Sequence, residues 1–136
     1  MPFMTWTEEM SVGVEALDDD HKKMIDIVNE LHEGIEAGHK KEILGSVLGH
    51  LLEYTRFHFA REEEFFAQTN YPAAVAHKME HDGMVKRVLN VHDRFNNAPV
   101  AMLDLELMSY LKNWLVTHIQ NSDRKYQLCL NNRGIR

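Results

Sequence analysis

A single cysteine, Cys129, stands in the 136-residue sequence, so no intrachain disulfide can brace the fold. Prolines number three and glycines seven, which leaves little to interrupt long helices. No apolar run reaches the roughly 18 residues that a membrane-spanning helix needs. Met1–Glu9 contain no apolar h-region, so no signal peptide is expected there. Basic residues are in deficit: 15 Lys and Arg face 21 Asp and Glu, for a net charge of -6. A nucleic-acid surface is not expected, because phosphate contacts need clustered cations. Internal repeats and low-complexity stretches are missing too. These absences describe one domain over residues 1–136, expected to be a monomer in a reducing cytoplasm.

What is present is helical. Leu, Met, Glu, Lys and Ala dominate the long segments. Residues 1–17, with Trp6 and Ser11-Val12-Gly13-Val14, show no helical period and read as an extended N-terminal arm. Helices are expected over about 18–37, 41–67, 72–95 and 100–129. Asp18-Asp19-Asp20 would cap the first helix, Gly38 would end it, and Pro72 suits the first position of the third. Asn96-Asn97-Ala98-Pro99 separates the last two. Short connections force neighbours antiparallel, so the predicted fold class is all-α: an up-down-up-down four-helix bundle.

The apolar stripes of these helices run into histidine. Met24, Ile25, Val28, Leu31 and Ile35 extend back to His21. Leu44, Leu48, Leu51 and Thr55 continue through His58 and Glu62 to Phe65. Met84, Val85 and Val88 lead back to His81 and His77. Leu107, Leu111, Trp114 and Leu115 lead on to His118. A lone core histidine is ordinarily a hydrogen-bonded structural residue. Five of them with a carboxylate, on stripes that offer few neutral polar partners, are different. Each unpaired buried group costs ~1–3 kcal/mol, and a metal would satisfy them together.

The spacing agrees. His58 and Glu62 lie one helical turn apart, as do His77 and His81, so each pair shares a face. His118 and Asp123 are five apart, about 140° around a regular helix. Either a π-bulge joins them or Asp123 is a solvated helix residue, and spacing leaves both open.

His21, His58 with Glu62, His77 with His81, and His118 with Asp123 together resemble the hemerythrin family pattern: one His, then HxxxE, HxxxH and HxxxxD on successive helices. The resemblance covers nearly the whole chain, including the Trp6 arm and the Tyr71-Pro72 turn. It implies a non-haem di-iron centre, with His77, His81 and His118 on one iron and His21 and His58 on the other. Glu62, Asp123 and a hydroxide or oxo group would bridge them. Three imidazoles, two carboxylate oxygens and the hydroxide fill the first iron, and the second is left one ligand short. The implied function is reversible binding of O2, for storage or delivery to an oxygen-consuming enzyme, rather than catalysis. Met24, Phe59, Trp114, Leu115 and Ile119 would line the oxygen pocket. Sensing of oxygen, nitric oxide or iron, or iron storage, is the alternative use of the same site. One departure is Asp20, where bacterial members often carry Gln before the first ligand. A ferritin-like reading would need Glu-x-x-His twice, and Glu36-Ala37-Gly38-His39 supplies it once. His32, His39, His50 and His92 lie outside the pattern and read as surface or structural residues. Glu63, Glu64 and Glu80 read as solvated neighbours.

Overall fold

The structure, a computed structural model, describes residues 2–95 and 105–136. Its helices are α1 (Glu15–Glu36), α2 (Lys41–Thr69), α3 (Ala74–Phe95), α4 (Leu105–Thr117) and α5 (Gln127–Asn132). A π-helical turn, His118–Ser122, and a 3-10 turn, Asp123–Tyr126, join α4 to α5. The fourth rod of the bundle is therefore a composite of α4, these two turns and α5. The break expected at Asn96–Pro99 and the helix start expected at Val100 lie outside the described residues. Among the described residues, no helix is long and apolar enough to cross a membrane.

The arm is shorter than residues 1–17, because α1 begins at Glu15. It includes one 3-10 turn, Glu8–Met10. The acidic triplet does not cap α1: the N-cap is Val14, with no side-chain bond. Asp18 instead reaches back to the arm, accepting from the Val12 N–H at 2.8 Å and the Ser11 hydroxyl at 2.6 Å. Asn29 exchanges two hydrogen bonds with the Met4 backbone, at 2.7 and 2.9 Å. Gly13 takes φ 74°, and an added Cβ there would strike the Gln127 side chain. Burial of Met4, Met10, Val12 and Val14 completes the attachment.

Gly38 ends α1 as expected, at φ 68°. The His39 N–H bonds back to Gly34 O and the Gly38 N–H to Ile35 O, a Schellman closure. Asn70 does the same for α2, at φ 53° with the Tyr71 N–H on Phe66 O. That cap carries α2 two residues past the expected end at Ala67. Pro72 lies in the turn before α3 rather than in its first position, since the helix starts at Ala74.

Antiparallel packing gives the bundle two ends. Around Leu31, Leu44, Leu48, Phe95, Met108 and Leu111 the interior is apolar and each side chain is buried. Full burial of such residues contributes about 1.5–3 kcal/mol apiece. The stripe of α2 departs from expectation at its end: Phe66 is buried, and Phe65 only partly. The other end collects the N-terminal halves of α1 and α3 and the C-terminal parts of α2 and the fourth rod.

Candidate metal centre

That second end buries His21, His58, Glu62, His77, His81, His118 and Asp123, none more than 4% exposed. They come from all four rods. The π turn is what admits the last two. The Asp123 N–H bonds to His118 O, five residues back, and this wider turn brings both side chains to one face. His118 Nε2 then lies 3.0 Å from Asp123 Oδ1.

The side chains sort into two groups able to hold a metal ion: Glu62, His77, His81, His118 and Asp123, and His21, His58, Glu62 and Asp123. The carboxylate oxygens divide between them. Glu62 Oε1 lies 3.0 Å from His81 Nε2 and 3.5 Å from His77 Nε2. Asp123 Oδ1 lies 2.9 Å from His77 Nε2. On the other side, Glu62 Oε2 is 3.5 Å from His58 Nε2 and Asp123 Oδ2 is 3.1 Å from His21 Nε2. Each carboxylate thus turns one oxygen toward the three-histidine group and the other toward the two-histidine group.

Apart from the 3.2 Å contact of His81 Nε2 with His118 Nε2, these close approaches are not aligned hydrogen bonds. The Nε2 atoms of His21, His58 and His77, Glu62 Oε1 and both oxygens of Asp123 are buried without an aligned partner. They converge on common points rather than on one another. At ~1–3 kcal/mol for each unsatisfied atom, such a cluster would offset much of a domain's net stability of about 5–15 kcal/mol. Protons or cations must therefore occupy it. Imidazole and carboxylate donors in this number suit first-row transition metals, so the residues fit a metal pair.

Electrostatics describe the competition with protons. Burial alone would lower His58, but Glu62 and the hydrogen bond to Asp20 push it up to about 10. Burial likewise opposes the charging of His77, which contact with Asp123 and Glu62 pushes up to about 9. Burial would raise both carboxylates, yet His58 holds Glu62, and His118 and His21 hold Asp123, well below the ordinary range. Metal must displace protons from these imidazoles to bind.

Around the donors stand residues that spacing did not reveal. The His58 Nδ1–H donates to Asp20 at 2.9 Å and the His81 Nδ1–H to Glu63 at 2.9 Å. His118 Nδ1 lies 3.4 Å from Glu80, which Ser122 holds at 2.8 Å. A carboxylate only accepts, so these contacts place the proton on Nδ1 and leave Nε2 for the centre. Glu63 and Glu80 are therefore not mere solvated neighbours. Tyr126, fully buried, donates its hydroxyl to Glu62 Oε2 at 2.5 Å. Its position, one turn past Asp123, was the available signal. His32 stacks on Phe3 at 4.3 Å, and His39, His50 and His92 lie outside both groups.

Of the five residues expected to line an oxygen pocket, Met24, Phe59, Leu115 and Ile119 are buried, and Trp114 is half-buried. Phe59 stacks on His81 at 3.7 Å and Trp114 on His118 at 4.4 Å.

The family model described as "Hemerythrin HHE cation binding domain" matches residues 12–128. A bacteriohemerythrin of Methylococcus capsulatus is 36% identical over 131 residues, covering 96% of this chain and 98% of that protein. One from Stenotrophomonas maltophilia is 32% identical over 126 residues, covering 93% of this chain and 80% of the relative. A solved wild-type hemerythrin superposes with a TM-score of 0.87 at 34% identity, over 94% of this chain and 98% of that one. Because the likeness runs from the arm to the last helix in sequence and backbone alike, the chain belongs to the hemerythrin family.

Proposed function

We propose that the chain holds two iron ions in the buried cluster and binds molecular oxygen reversibly there, for storage or for delivery to an oxygen-consuming enzyme. In this reading His77, His81 and His118 hold one iron and His21 and His58 the other. Glu62 and Asp123, which belong to both groups, would be shared between the two ions, with a hydroxide or oxo group completing the cofactor, and residues 1–136 serve as one domain. The observation that supports it most is the division of carboxylate oxygens between a three-histidine and a two-histidine group.

Iron supplies reversible electron transfer and a site for a small ligand. The protein supplies the asymmetry: with two shared carboxylates, the two-histidine group has one donor fewer, and a small ligand fits that open position. Tyr126 fixes the orientation of Glu62. Phe59 and Trp114 lay ring faces against His81 and His118. Met24, Leu115 and Ile119 are buried and lie within one helical turn of His21 or His118 along the chain, and an apolar shell of this kind would keep water and protons away from the bound gas. These five side chains are read as the oxygen pocket.

The test is spectroscopic. Iron-loaded protein is reduced without oxygen, exposed to oxygen, then flushed with inert gas, with iron measured per chain. Two irons, with visible bands that form with oxygen and fade on flushing, are expected. Bands that never form, or that flushing cannot remove, would move the function to sensing, storage or oxidation.

A further inference from the structure

Three carboxylates lie against the Nδ1 atoms of the clustered histidines, and they are not equivalent. The side chain of Glu63 is 29% exposed and that of Glu80 is 47% exposed, so water screens both. Asp20 is 4% exposed. It precedes His21 on α1, and its side chain crosses to α2, where Oδ2 accepts from His58 at 2.9 Å. Its other oxygen accepts from the Tyr54 hydroxyl at 3.1 Å and the Arg61 guanidinium at 3.2 Å. Tyr54, His58 and Arg61 are spaced along one face of α2. Asp20 is thus joined to both members of the two-histidine group, to His21 through the backbone and to His58 through its carboxylate.

A buried carboxylate on the far nitrogen makes an imidazole a stronger donor and fixes its tautomer. The stronger donor favours the ferric over the ferrous ion. Arg61 opposes this: a cation beside Asp20 draws the negative charge back. Arg61 is 34% exposed, so solvent weakens its opposing effect without removing it.

We propose that Asp20 is the positioning residue of His58, that its buried charge lowers the reduction potential of the two-histidine iron, and that Arg61 limits this effect. The inference rests on the di-iron reading above.

The test compares wild type, Asp20→Asn, Asp20→Ala and Arg61→Gln. Iron per chain is measured first, then midpoint potential by spectroelectrochemical titration, and affinity for redox-silent zinc by chelator competition. Asp20→Asn, which keeps an acceptor and removes the charge, should raise the potential. A shift of about tenfold in ferric-over-ferrous preference is expected, about 59 mV for one electron. Arg61→Gln should lower it. Asp20→Ala should weaken zinc binding by roughly 10–100-fold, as outer-shell changes do, and Asp20→Asn should restore part of that loss. A purely structural Asp20 would not give opposite shifts for the Asp20 and Arg61 variants. Two irons held with an unchanged potential in Asp20→Asn, or the two charge variants shifting the same way, would overturn the proposal. If Asp20→Ala does not fold, the two charge variants decide. Fewer than two irons in wild type would instead overturn the di-iron reading beneath it, before any variant is compared.

Discussion

The two ends of the bundle are built on the same stripes and have opposite needs. Leu31, Leu44, Leu48, Phe95 and Met108 are at most 1% exposed, and their neighbours satisfy them completely, since dispersion and the loss of apolar hydration ask for no particular partner. His21, His58, Glu62, His81 and Asp123 are buried as deeply, at 1% or less. Their polar atoms require directed partners, and hydrogen bonds with Asp20, Glu63 and Tyr126 serve only some of them, while both ring nitrogens of His21 and both oxygens of Asp123 have none among the described residues. Helical periodicity decides which residues go inside. Their chemistry decides whether that interior is complete without a ligand.

The comparison breaks hardest at Glu62, which offers an oxygen to each group. In Glu62→Ala we expect loss of both iron sites and of the oxygen-dependent colour, measured by iron content and absorption. Retention of two irons with reversible oxygen binding would refute the assignment. Leu48→Ala tests the other end. It should cost ~2–5 kcal/mol of unfolding free energy while iron content and oxygen spectrum persist. Iron loss at temperatures where the variant stays folded would mean that the ends are not independent. Tyr126→Phe sharpens the boundary: losing a hydrogen bond to a charged group should cost ~1.5–3 kcal/mol, read as a lower melting temperature of the loaded protein.

Proton competition gives a graded effect, at most about 1.4 kcal/mol per pH unit for each group. In metal-free protein His58 and His77 sit near 10 and 9, above their unfolded value of 6.5. Their contribution is complete below 6.5 and is lost as pH rises through 9 to 10. Glu62 and Asp123 lie below their ordinary values of 4.5 and 3.8. They contribute above those values and lose the contribution as pH falls beneath them. Metal-free protein should therefore weaken between pH 7 and 10 in denaturant melts. Metal-loaded protein, whose imidazoles are already deprotonated, should not. Equal alkaline slopes would contradict this account.

The helices and the clustering of histidines were legible because periodicity writes them directly. Gly38 was also readable, as a stop signal, whereas the π turn was one of two readings that the spacing of His118 and Asp123 left open. Three features were not legible. Asp18 reads as a cap, yet its partners lie in an arm without a period, so only the folded arm reveals the Ser11 and Val12 contacts. Asn70 extends α2 by adopting a left-handed conformation that its identity permits without requiring. The outer carboxylates Asp20, Glu63 and Glu80 depend on distances between helices, and no spacing within one helix encodes those.

The π turn has a genetic consequence. A regular helix rotates about 100° per residue, and the wide turn from His118 to Ser122 absorbs the extra one. Deleting any one residue between His118 and Asp123 would let the ordinary repeat close over the gap while every metal-facing side chain survived in the text. An in-frame loss of three nucleotides would leave the histidine and the aspartate four apart, on one face of a regular helix, so the rod from Asp123 onward, Tyr126 included, would keep its register. The π turn therefore lets this segment carry one residue more than a regular turn needs while the metal-facing side chains stay in place, and a survey of related genes for this centre would have to accept both spacings.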